Sequence, residues 1–164
     1  MKRIIFFIFV LIMLTSCQKK REFDQSDINL DFKSEAQIYI GDKFEIKSDI
    51  IVNKNQTLNI VVKEPSNLEG LTISCSGDQY NVSYKDLSLQ NSEQILPKSS
   101  FFYGMYEIFK EIGKRELKTI SNNDKEIVLS GNSTCGEFVI CVDKTDDKIS
   151  KMELKNTNIV INFK

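Results

Sequence analysis

The chain has 164 residues, with 22 Lys and Arg against 23 Asp and Glu, a formal net charge of −1, and neither His nor Trp. Without histidine there is no Ser-His-Asp or Cys-His nucleophile, no imidazole base near pH 7 and no His-ligated zinc or iron. A charge balance this close to zero lacks the basic excess of a nucleic-acid binder, and the length suits one domain with a core of its own.

Met1-Lys2-Arg3 is a short basic start, and residues 4–14 (IIFFIFVLIML) are apolar without interruption. A spanning helix needs about 20 such residues, so this run is short for a membrane anchor. It fits the apolar segment of a secretory signal. Leu14-Thr15-Ser16-Cys17 follows: an aliphatic residue and two small ones before a cysteine. This resembles a bacterial lipobox. The resemblance implies cleavage after Ser16, so that residues 1–16 are a lipoprotein signal peptide, and diacylglycerol on the Cys17 sulfur. It also implies an extracytoplasmic protein, lipid-anchored to the bacterial cell membrane. Each buried CH₂ contributes about 0.8 kcal/mol, so two or three acyl chains hold stably. Residues 17–30 (CQKKREFDQSDINL) carry many charges and no apolar period, and read as a lipidated polar tether. Lys19, Lys20 and Arg21 either lean on anionic head groups or simply keep the tether solvated.

From there the period switches to two. Phe32, Ser34, Ala36, Ile38 and Ile40 alternate with Lys33, Glu35 and Gln37; Gly41-Asp42 is a turn signal. Phe44, Ile46, Ser48, Ile50 and Val52 then alternate with Glu45, Lys47 and Asp49. These are two half-buried strands with a tight connection. Leu58, Ile60 and Val62 mark a third strand, which Pro65 ends because it has no N–H to donate. Residues 71–75 and 80–84 read as a hairpin about Gly77-Asp78, and Leu87 and Leu89 end the meander. One polar and one apolar face per strand indicates an antiparallel sheet with one wet side.

One helix is predicted from about Ser99 to Arg115. Pro97 precedes it, and Ser99 or Ser100 can cap it. Phe101, Met105, Ile108, Phe109 and Ile112 form one apolar stripe, widened by Phe102 and Tyr106. Such a stripe must bury against the sheet, because a lone helix of this length is marginal in water. Strand signals resume over residues 126–130, 137–142, 148–154 and 158–163. The order strands, helix, strands calls for a curved antiparallel sheet that wraps one helix.

Pro65-Ser66-Asn67-Leu68-Glu69-Gly70-Leu71-Thr72-Ile73, then Tyr80, Val82, Tyr84 and Leu87 at their spacing, resemble the clostridial-type lipoproteins of the LolA-like superfamily. So do Phe138-Val139-Ile140-Cys141-Val142-Asp143, Lys148-Ile149-Ser150-Lys151-Met152 and the closing Ile159-Val160-Ile161-Asn162-Phe163. The resemblance spreads over residues 31–164. It implies an α+β fold, mostly antiparallel β: a curved, unclosed β half-barrel wrapping one main amphipathic helix. Members carry lipids or lipoproteins in the concave face. One branch, that of the spore-germination lipoprotein GerS, instead partners an exported cell-wall amidase of the spore cortex. The chain departs from the family pattern in having little room for a helix before the first strand, and no Pro near Ile149.

Cys75, Cys135 and Cys141 remain besides Cys17. Export permits a disulfide, but Cys135 and Cys141 span about 20 Å on a straight strand, against the 7 Å or so that a bridge allows. Reduced, half-buried cysteines are the expectation. Asp143, Asp146 and Asp147 lack the spacing of a twelve-residue calcium loop and read as a solvated turn; Glu107 and Glu111 read as an exposed helix flank. No catalytic residue, metal site or cofactor is expected. The aromatics carry the sharper hypothesis. Phe44, Ile46, Leu58, Ile60, Tyr80 and Val82 from the sheet would meet Phe101, Phe102, Met105 and Phe109 from the helix. They form either a hydrophobic groove for acyl chains or the packed core of a small domain. The expected function is a non-catalytic binding module, a partner or scaffold for an exported protein such as a cortex amidase. The alternative is a carrier of lipids or lipoproteins. Open strand edges also allow a strand-exchanged homodimer.

Overall fold

The computed structural model describes residues 23–55, 57–77, 79–91, 97 and 100–164. The signal segment, Cys17, the basic residues 19–21, Asp78 and Ser99 lie outside them. Eleven strands and one helix follow in order: β1 (Phe32–Ile40), β2 (Phe44–Asn53), β3 (Thr57–Glu64), β4 (Thr72–Ser76), β5 (Gln79–Tyr84), β6 (Leu87–Asn91), α1 (Phe101–Lys114), β7 (Lys118–Asn122), β8 (Glu126–Ser133), β9 (Gly136–Asp143), β10 (Lys148–Leu154) and β11 (Ile159–Phe163). All strands join one antiparallel sheet of order β6-β5-β4-β3-β2-β1-β11-β10-β9-β8-β7. The chain meanders outward from β1 to one edge, crosses over by way of the helix, and meanders back from the other edge until β11 pairs with β1. Among the described residues β6 and β7 each have one neighbour, so the sheet is unclosed. Laid flat, it would measure about 48 Å between edges, whereas a 14-residue helix is about 21 Å long. Curling brings both wings onto the helix, and the result is an α+β half-barrel.

Register aligns the inward residues into rows. Ile46, Ile38, Ile161, Met152, Ile140 and Leu129 are cross-strand partners in turn across six strands, and all are buried. The helix lies over them. Ser100 Oγ accepts from the Tyr103 N–H at 3.2 Å and is the cap. Arg115 adopts a left-handed conformation (φ 61°) and donates its N–H to the Ile112 carbonyl at 3.1 Å, ending the helix. Gly104 permits a close approach: a Cβ there would lie 2.6 Å from Leu154 Cδ2 on β10.

Four features differ from the sequence expectation. First, every residue from Phe102 to Phe109 is buried, with Ile112, while Phe101 is only half-buried. The curved sheet covers the helix flanks as well as its stripe. Second, Glu107 is 4% exposed rather than on a wet flank. Its carboxylate accepts from Lys110 Nζ at 3.1 Å and Thr134 Oγ1 at 2.8 Å, which makes a buried charge tolerable. Third, Lys118–Asn122 forms an extra edge strand; all five residues are exposed, so no alternation marked it. Fourth, the far end of the expected tether is docked. Asp24 and Asp27 close a capping box on a 3-10 turn, Gln25–Asp27. The Gln25 amide donates to the Leu117 carbonyl at 2.6 Å and accepts its N–H at 2.9 Å. Ile28 joins the core. One apolar side chain and a bidentate amide hold this segment to the domain.

Candidate functional site

The residues expected to line a groove are spread by the structure between core and rim. Ile46, Leu58, Ile60 and Tyr80 from the sheet, and Phe102, Met105 and Phe109 from the helix, are buried together in one cluster. Val82 and Phe101 pack at its rim. Phe44 is 46% exposed: it opens β2 opposite Ile40, next to the hairpin turn. The alternation placed it on the inner face but could not tell that the strand there runs clear of the helix.

On the β5 side the helix meets the sheet through tyrosines. The Tyr80 ring lies 6.5 Å from Tyr103 and 6.2 Å, edge-on, from Tyr106. Tyr106 Oη donates to the Gly77 carbonyl at 2.8 Å. Cys75 is buried beside them, and burial pushes its thiol up to about 11; burial raises the Tyr80 phenol as well. Neither is an anion at neutral pH, so neither serves as a nucleophile there. None of Cys75, Cys135 and Cys141 forms a disulfide. Among the described residues no group of three or more Cys, Asp or Glu gathers as a metal site would.

Two surfaces remain. The first is the β6 edge. Ile60, Ile73, Val82 and Leu89 are partners in turn across β3 to β6, and their exposure climbs from 0% at Ile60 through 6% at Ile73 to 60% at Leu89. Leu87 on the same strand is 73% exposed. The helix cover gives out at β5.

The second is the convex face, whose two halves differ. Over β1 to β3 and β10 it carries ion pairs: Lys63 with Asp49 at 2.7 Å and Glu35 at 3.0 Å, Lys47 with Glu64 at 2.7 Å, and Glu153 with Lys151 at 3.4 Å. Over β4 to β6 register places only Thr72, Ser74, Ser76, Gln79, Asn81, Ser83, Ser88 and Gln90 on that face. A groove of about 460 Å³ opens there, bordered by Thr57 and Asn59 of β3. Sequence reasoning missed it, since each hydroxyl or amide reads singly as the wet side of a strand.

Comparison with known proteins agrees with this anatomy. The pattern of the prokaryotic membrane lipoprotein lipid attachment site matches residues 1–18, which include Cys17. The protein is lipid-anchored and extracytoplasmic. No curated protein matches the chain. Among solved structures, an uncharacterized conserved protein from Thermus thermophilus is similar at a TM-score of 0.54 and 10% identity, covering 84% of this chain and 80% of that one. A chain of the CwlD amidase–GerS lipoprotein complex from Clostridioides difficile is similar at 0.46 and 19%, covering 81% and 82%. A LolA superfamily protein from Nitrosomonas europaea is similar at 0.40 and 12%, covering 85% and 88%. The class is a lipoprotein whose domain is an unclosed antiparallel half-barrel around one helix.

Proposed function

We propose that the protein is a non-catalytic binding module, tethered through lipid on Cys17, that offers its β6 edge to an exported protein partner. Residues 1–16 are then the signal peptide and residues 17–30 the lipidated tether, whose far end rests on the domain. The observation that carries the reading is the pair Leu87 and Leu89, exposed on an edge strand whose outer side has no neighbour among the described residues. A strand edge offers main-chain donors and acceptors in a row, and apolar side chains beside it add burial on pairing. The partner class implied by the sequence resemblance is an exported cell-wall amidase. The carrier reading is weaker, because α1 fills the concave face where acyl chains would lie.

Full-length lipoprotein in detergent, mixed with the exported cell-wall amidase of the same bacterium, is expected to elute as a stoichiometric complex. A Leu87→Asp, Leu89→Asp variant is expected to fold normally by circular dichroism and lose the complex. An amidase that ignores the wild type, or a complex indifferent to the two aspartates, overturns the reading. Stoichiometric fatty acid retained by the purified protein would favour the carrier instead, and a dimer in light scattering would mean that a second copy takes the edge.

A further inference from the structure

We propose that the convex face of β4 to β6 is a binding site for a neutral oligosaccharide. The sequence is 27% charged, yet among the described residues register places no charged side chain on this half of the face, while the other half is laced with Lys–Glu and Lys–Asp pairs. The groove of about 460 Å³ lies within the range of small-ligand sites. Its walls carry the hydroxyls and carboxamides of Asn59, Ser74, Ser76, Gln79, Asn81 and Gln90, and Leu58, Cys75 and Tyr80 complete the lining. A carboxamide offers a donor and an acceptor side by side, and a hydroxyl offers both in one atom. That set matches the vicinal hydroxyls and acetamido groups of a sugar ring.

One of these groups is unfinished. Asn59 Oδ1 is buried and has no hydrogen-bond partner, although buried acceptors are nearly always paired. Rotation of its amide toward the groove would let a ligand donor complete it. Asn81, by contrast, already accepts from Ser88 Oγ at 3.3 Å, which orients its amide across β5 and β6.

Other occupants fit this face poorly. A nucleic acid needs Lys and Arg to neutralise its phosphates. Membrane surfaces recruit basic or apolar patches. Protein interfaces are enriched in aromatics, Met and Arg and depleted in Ser, whereas Ser74, Ser76, Ser83 and Ser88 lie on this face. A lipid anchor also holds the protein at the envelope, where glycan is at hand. This inference is independent of the β6 edge, whose leucines point to the opposite face.

The test uses full-length lipoprotein in detergent micelles, titrated by calorimetry with two probes: the β-1,4-linked tetramer of N-acetylglucosamine, and cellotetraose, which lacks the acetamido groups. Saturable binding of either is expected. Asn59→Ala and Asn81→Ala are each expected to weaken it about tenfold, the loss of one well-made hydrogen bond, and Ser74→Lys to abolish it. Leu89→Asp, which removes the protein-binding edge, is expected to leave it unchanged. Wild-type protein that gives no saturable binding of either probe at millimolar concentration overturns the proposal, as does binding that survives all three convex-face variants. Should those variants fail to fold, chemical-shift mapping on the wild type decides: perturbation centred on β4 to β6 supports the site, and perturbation only elsewhere sinks it.

Discussion

Two rows of apolar residues on one face of one sheet meet opposite ends. The row from Leu129 through Ile140, Met152, Ile161 and Ile38 to Ile46 is buried along its whole length. The row from Ile60 through Ile73 and Val82 to Leu89 starts buried and finishes in solvent. Both occupy the inward-facing positions of their strands and pair across the sheet in the same way. What separates them is the helix, which sits low over β10 at Gly104 and stands on tyrosine rings at β5. A pattern of period two therefore states which face an apolar side chain occupies, and the helix decides whether that face is a core or a docking edge.

The sharpest way to break this comparison is to truncate one residue under the helix and one beyond it. Phe102→Ala empties the centre of the core and is expected to cost about 3–5 kcal/mol in urea unfolding. Leu89→Ala should stay within about 0.5 kcal/mol. Equal losses would mean that β6 is covered after all. Next in size is Gly104→Val, whose side chain meets Leu154 Cδ2 and is expected to cost about 1–3 kcal/mol by lifting the helix. Leu154→Ala in the same chain should recover part of that, a coupling that a double-mutant cycle measures.

A smaller effect than that of Gly104→Val concerns the charged half of the convex face. The hydrogen bond from Lys155, with the nearby charges of Lys155 and Lys151, holds the Glu153 carboxyl below its ordinary value of 4.5, against an opposing push from burial. A carboxyl lowered in the folded state adds stability above its unfolded value and loses it as pH falls through the folded one. Glu153→Gln is thus expected to reduce stability at pH 7 by under about 1 kcal/mol and to converge with wild type in strong acid. A gap that widens on acidification would contradict the pairing.

Much of this fold was legible in residues. Strict alternation announced β1, β2 and β3, a run of Phe, Met and Ile at helical spacing announced α1, and the Ile- and Val-rich tail announced β8 to β11. The misses share a cause. Lys118–Asn122 has only Ile120 to bury, and it stays exposed; the strand exists because β8 offers it a ladder. Glu107 reads as surface beside Glu111, but Thr134, from the turn after β8, arrives to share its charge. Asn59 and Asn81 sit on strands separated by β4, and only pairing through Ser74 puts them in one groove.

By itself, the sequence determined the export signal with its cysteine, the alternation that gives each strand one apolar side, and the lack of histidine that removes imidazole chemistry. These are local properties, carried by residue type and short spacing. The tertiary structure alone decided which apolar residues became core, which leucines were left on an edge, and where uncharged polar side chains gathered. Those outcomes depend on strand pairing between residues far apart in the chain and on how far one helix reaches across a curved sheet.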